Sequence, residues 1–108
     1  MKLNEASTAL SALAHETRLA VFKYLVAVGP EGATAGSIAV KLRLPGPTLS
    51  FHLKELELAG LTHGRRESRN IIYSADFRRI RELLTFLMED CCAGRPEICS
   101  IQVKDCCA

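Results

Sequence analysis

Apolar positions along the chain fall into blocks with a helical period, and the sharpest block is residues 46–61, GPTLSFHLKELELAGL. Leu49, Leu53 and Leu56 repeat at i, i+4, i+7 and mark one face of a helix. Pro47, Thr48, Ser50, Phe51 and Lys54 fall on the opposite face, with His52 at the border. Ala59-Gly60-Leu61 predicts the stop: Gly60 can turn left-handed, and Leu61 can pack back on the helix. The outward face offers small hydroxyls, an aromatic ring and a long cation, with no carboxylate until Glu55. Such a face suits phosphates and base edges. The same pattern also describes an ordinary amphipathic helix, so the flanking segments have to decide.

Upstream, Leu3, Ala6, Leu10 and Leu13 form a stripe that predicts a first helix over about 4–14. His15-Glu16-Thr17-Arg18 opens a second, running to about Val28, with Leu19, Phe22, Leu25 and Val26 expected inside and Gly29-Pro30 ending it. His15 stands at the N-cap, where Ser, Thr, Asp or Asn would do better; we read it as a mediocre cap, not a metal ligand. Thr34 can cap a third helix over 35–43 that buries Ile38, Ala39 and Leu42. Leu44-Pro45-Gly46 then breaks the chain briefly before the 46–61 helix. Two short helices on a tight turn, the second with a polar outer face, make a helix-turn-helix pattern.

Downstream, 62–66 and 70–74 alternate as two strands joined at Glu67-Ser68-Arg69, with Ile71 and Tyr73 on one face and Ile72 on the other. Arg65, Arg66 and Arg69 gather at the tip. Behind a helix-turn-helix they predict a phosphate or minor-groove finger, although a solvated loop is the plainer alternative. Asp76 can cap a last helix to about Asp90, whose Phe77, Ile80, Leu83, Leu84, Leu87 and Met88 make a wide apolar stripe. A terminal helix cannot leave so much apolar surface wet. We therefore expect the first and last helices to meet their copies in a two-fold homodimer, an arrangement that also suits a reader of symmetric DNA sites. The expected architecture is mainly α with a small β-hairpin, in the order α-α-α-α-β-β-α. It is a winged helix-turn-helix domain over residues 1–90, followed by a tail over 91–108.

Composition narrows the classes. The chain has 108 residues, 48% hydrophobic and 24% charged, which suits one globular domain and argues against disorder. A domain this small buries only about two-thirds of its unfolded surface, so a partner subunit would help it. Net charge is +2, too weak to imply nucleic-acid binding unless the charge is locally concentrated. The first ten residues lack the apolar run of a signal peptide, and no run approaches the ~20 apolar residues of a membrane span. The reading is a cytoplasmic protein with no membrane association. Nothing in the pattern suggests a convergent Ser/His/Asp or Cys/His constellation, so an enzyme is not expected.

The five cysteines, Cys91, Cys92, Cys99, Cys106 and Cys107, all lie in the tail. An odd number at one end of a chain without an export signal is a poor disulfide framework and fits metal, metalloid or redox chemistry better.

The whole order resembles the ArsR/SmtB family of metal- and metalloid-responsive repressors. The resemblance is carried by Ala12-Leu13-Ala14-His15-Glu16-Thr17-Arg18-Leu19, by Thr48-Leu49-Ser50-Phe51-His52-Leu53 with Leu56 and Ala59-Gly60-Leu61, and by Arg65-Arg66-Glu67-Ser68-Arg69, and covers about 5–90. It implies a homodimer that represses by sitting on an inverted repeat of double-stranded DNA and lets go when an inducer binds. The DNA-contacting residues would be Thr48, Ser50, Phe51, His52 and Lys54, with Arg65, Arg66 and Arg69 on the wing. Half-sites should lie about one helical turn apart.

Three departures shape the rest. His15 replaces the usual Asp or Ser. Ser68 stands where the wing turn usually has Gly, at a cost of about 1 kcal/mol if φ is positive. Residues 35–42 also lack the cysteine pair of the founding arsenic repressors, and 76–90 lack the histidines of the zinc sensors. Inducer chemistry then falls to the tail, which resembles that of family members with C-terminal cysteine sites. Adjacent residues on an intact helix diverge by ~100°, so Cys91 and Cys92 can share an ion only if the helix frays there. With Cys99 returned by Gly94 and Pro96, three thiolates suit a pyramidal As(III) or Sb(III) inducer, and no resident cofactor is required. Zinc would want a fourth ligand from Cys106 or Cys107. The alternatives are a Cd(II), Pb(II) or Zn(II) sensor, a thiol redox sensor, or a winged-helix module that binds a protein instead of DNA. Glu89 and Asp90 beside the first pair disfavour low-pKa thiolates there.

Overall fold

The computed structural model describes residues 1–89. The elements are α1 (Leu3–Leu13), α2 (Glu16–Val28), β1 (Ala33–Thr34), α3 (Ala35–Leu42), α4 (Gly46–Leu58), β2 (Thr62–Glu67), β3 (Asn70–Ala75) and α5 (Phe77–Met88). Helix α4 lies where the pattern put it. Leu49, Leu53 and Leu56 are fully buried, in one core with Val21, Phe22 and Leu25 of α2, Ile38 of α3, and Leu61 and Leu83. Gly60, at φ +79°, lets the Leu61 N–H reach the Leu56 carbonyl at 3.0 Å, and Leu61 packs back as expected.

Both expected side-chain caps are present. The Thr34 hydroxyl accepts from the Ser37 N–H at 3.1 Å, and the Asp76 carboxylate from the Arg79 N–H at 3.0 Å. His15 is the N-cap of α2 without a side-chain cap bond. The turn between α3 and α4 closes through Leu44 N–H to the Ala39 carbonyl at 2.9 Å and places Arg43 at φ 55°, ψ 48°. Ser68 sits at φ 59° in the two-residue connection between Glu67 and Asn70, at the position where this kind of hairpin favours glycine. A left-handed backbone costs a residue with a side chain about 1–2 kcal/mol.

Three expected helix faces need correction. The buried face of α1 consists of Ala6, Ala9 and Ala12, while Leu3 is 76% exposed and Leu10 also faces outward. Small residues let α1 lie close on α2 and α4, which the larger leucines would prevent. In α2 the buried set is Val21, Phe22 and Leu25, and Leu19 and Val26 are exposed. Phe22 and Leu25 are buried as expected; the helix is apolar around most of its circumference, so periodicity alone did not separate Val21 from Leu19 and Val26. In α3 only Ile38 is fully buried; Ala39 and Leu42 are half-buried against the core.

The sheet has three strands in the order β1-β3-β2, all antiparallel, not a lone hairpin. Ala33 pairs with Tyr73 and Thr34 with Ile72. A two-residue strand has no period to detect; Gly32 was the available hint. At φ +75° an added Cβ would stand 2.5 Å from the Tyr73 carbonyl oxygen, so only glycine admits the close approach.

Helix α5 packs against α1, where Arg79 reaches Glu5 at 3.4 Å. Of its apolar stripe, Leu83 alone is fully buried. Phe77, Ile80, Leu84 and Met88 are half-buried and Leu87 is exposed. Among the described residues, no helix is long and apolar enough to cross a membrane.

Candidate nucleic-acid interface

Burying three leucines on one side of α4 turns its other side outward by geometry alone. Thr48, Ser50, Phe51 and Lys54 are all exposed, and Phe51 is 54% exposed despite its size. An aromatic ring left in water beside a cation and two hydroxyls gives this face the mixed composition expected of one that meets phosphates and base edges. Pro45 and Pro47 frame the start of the helix, with no side chain capping its first N–H groups.

His52 does not belong to that surface. It is 5% exposed, and its Nδ1 accepts a hydrogen bond from Arg18 Nε at 3.3 Å. The same guanidinium donates to the Ala12 carbonyl at 3.3 Å and lies 5.9 Å from the Phe51 ring centroid. The His15 ring stands 4.8 Å from His52, and the Phe51 ring meets His52 edge-on at 5.5 Å. Arg18 therefore buttresses α4 from behind, joining α1, α2 and the base of Phe51. Sequence reasoning gave Arg18 no such role, because contact across 34 residues has no local signature. A border position in the helical pattern was equally compatible with either side, and packing of α2 against α4 decided it.

A buried His52 that accepts from an arginine is neutral. Burial lowers its pKa below the ordinary 6.5, His15 and Arg18 lower it further, and Glu55 opposes them. On acidification the unfolded chain takes up this proton first. The stabilisation is thus complete above the unfolded pKa and is lost as pH falls from about 6.5 toward the folded value. We expect urea midpoints to drop more steeply as pH falls below about 6.5 in the wild type than in His52→Gln, which accepts the same bond without titrating. Parallel pH profiles would contradict this assignment.

The wing arginines divide. Arg65 pairs with Glu67 at 3.2 Å and donates to the Glu31 carbonyl at 3.0 Å, tying the wing to the loop before β1. Arg66, opposite Ile71 in the ladder, and Arg69 in the turn are exposed. Of the three arginines expected to grip a backbone, Arg65 is thus partly engaged in holding the wing. The structure brings the outer face of α4 and the wing onto one chain segment, 46–69, carried by the core and the β2–β3 ladder.

Cys91, Cys92 and Cys99 lie outside the described residues. Among the described residues, no group of three or more His, Cys, Asp or Glu could hold a metal ion.

A family model described as a helix-turn-helix domain matches residues 13–65. Over 58 residues the chain is 40% identical to an uncharacterized HTH-type transcriptional regulator, YceK, of Bacillus subtilis. The match covers 54% of this chain and 57% of that protein, so the chain spans little more than half the length of this curated relative. Among solved structures, an ArsR-like transcriptional regulator from Rhodococcus sp. RHA1 superposes with a TM-score of 0.72 at 26% identity, covering 80% of this chain and 78% of the other. The homodimeric winged helix-turn-helix DNA-binding domain of Mb0332 from Mycobacterium bovis, described as a possible ArsR-family regulator, gives 0.65 at 26% identity, covering 82% of each chain.

Proposed function

We propose that this chain, which has the winged helix-turn-helix fold of the ArsR-like regulators, is a homodimeric, metalloid-responsive repressor of transcription. The observation that carries the DNA-reading part is the outer face of α4, where Thr48, Ser50, Phe51 and Lys54 stand exposed on a helix anchored by three buried leucines. In the proposed complex these side chains meet base edges and phosphates in the major groove, and Arg66 and Arg69 reach the backbone from the wing. The apolar positions of α5 left half-buried or exposed, together with Leu3 and Leu10 of α1, supply a surface for a two-fold partner. The relative from M. bovis is described as homodimeric, which supports that assembly.

The inducer is assigned to the tail by its chemistry. Cys91, Cys92 and Cys99 offer three soft thiolates, the donor set that selects As(III) or Sb(III) over hard ions. Their capture of the ion favours a state with lower DNA affinity. Reciprocal coupling of the usual ~1–3 kcal/mol weakens binding ~5–150-fold.

The test is to isolate a bound duplex from a random-sequence library, label it, and titrate the complex with As(III), Cd(II), Zn(II) and peroxide while following anisotropy. Release by As(III) is expected. Release by Cd(II) or Zn(II) alone would move the reading to a metal sensor, and release by peroxide alone to a redox sensor. Cys92→Ser should bind the duplex as the wild type does and no longer release it with As(III); normal release would refute the three-thiolate site.

A further inference from the structure

Arg43 closes the helix-turn-helix turn in a left-handed conformation, φ 55° and ψ 48°, with the hydrogen bonds of a helix end that favours glycine. After α4 the chain uses glycine for this purpose: Gly60 stands at φ +79°, and the Leu61 N–H reaches the Leu56 carbonyl as the Leu44 N–H reaches that of Ala39. At Arg43 it accepts the strain of a large side chain instead. That side chain does nothing visible for the fold. It is exposed, and it makes no ion pair or side-chain hydrogen bond among the described residues. A cation at a helix C-terminus is favourable, but Lys41 in the last turn of α3 already provides one.

Charge and position supply the reason. From Ala35 to Lys54 there is no Asp or Glu; the charged residues are Lys41, Arg43 and Lys54, all exposed. Arg43 lies three residues before Gly46, the first residue of α4. When the N-terminal turns of a recognition helix enter the major groove, the segment leading into them passes over the phosphates at the groove edge. A guanidinium there can take a phosphate with two parallel N–H donors, which glycine cannot do.

We propose that Arg43 is a DNA-backbone contact, a phosphate clamp at the entry to α4, retained at the expense of turn geometry. The proposal rests on the reading of α4 as a DNA reader and adds a residue to it. Because a phosphate contact carries no sequence information, it can be tested on any duplex.

The experiment measures wild type, Arg43→Gly and Arg43→Lys by anisotropy on a labelled duplex about 30 bp long, enough for two half-sites a helical turn apart. Salt is varied from ~50 to ~200 mM. Arg43→Gly should melt at the wild-type temperature or above, yet bind about tenfold more weakly. Its slope of log K against log salt should be shallower by about 2, one lost contact per subunit of a dimer. Arg43→Lys should keep most of the slope. If Arg43→Gly binds with wild-type affinity and slope, or if it melts lower than wild type, the proposal is overturned. A wild type that shows no salt-dependent duplex binding would instead overturn the reading of α4 itself.

Discussion

Lys54→Glu should weaken duplex binding about a hundredfold or more while leaving the fold intact. Lys54 is exposed on the outer face of α4 and engages no carboxylate among the described residues, so removing its charge breaks no internal contact. Lysine and glutamate have similar helix propensities, and an exposed change of this kind moves stability by within about 0.5 kcal/mol. Against DNA the effect is large, because each subunit loses one favourable phosphate interaction and gains a repulsive one, and a dimer counts both twice. Wild-type circular dichroism with a raised Kd and a reduced salt slope is the expected pair of results. An unchanged Kd would take the outer face of α4 out of the interface.

The residue next to it should behave in the opposite way. Leu53→Ala removes a side chain that is 1% exposed, in the same buried cluster as Leu49, Leu56, Leu25 and Ile38. Truncating a buried leucine costs about 2–5 kcal/mol, the spread depending on how far the cavity collapses. A domain of this length is stabilised by only about 5–15 kcal/mol, so at mid-range about a third of the total is at stake. The urea midpoint should fall sharply with little change in m, and residual DNA binding should track the folded fraction. A midpoint within error of wild type would mean that α4 is not anchored through Leu53. One step of ~100° around a helix separates exposed Lys54 from Leu53 in the core.

That contrast is legible in the sequence, because burial on one face of α4 implies exposure on the other. So are the caps at Thr34 and Asp76, and the stop at Gly60, since each depends on a side chain or backbone freedom within a few residues. The buried face of α1 is not. Leucines at 3 and 10 dominate a hydrophobicity pattern, yet Ala6, Ala9 and Ala12 are the residues small enough for a close helix approach. β1 was invisible because its two residues pair with β3 across some forty positions. The same blindness to long-range contact hid Arg18 behind His52 and the bond from Arg65 to the Glu31 carbonyl.

From the order of residues alone came every element but β1, the helix-turn-helix, the wing and the polar face of α4, all properties of period two, period 3.6 and local turn chemistry. The tertiary structure decided which arc of α2 is buried, that His52 belongs to the core side, and that Arg43 holds a left-handed turn with its side chain unpaired among the described residues. Those outcomes follow from how separate elements pack and which partners they bring within reach, and residues distant along the chain leave no periodic trace of that in the sequence.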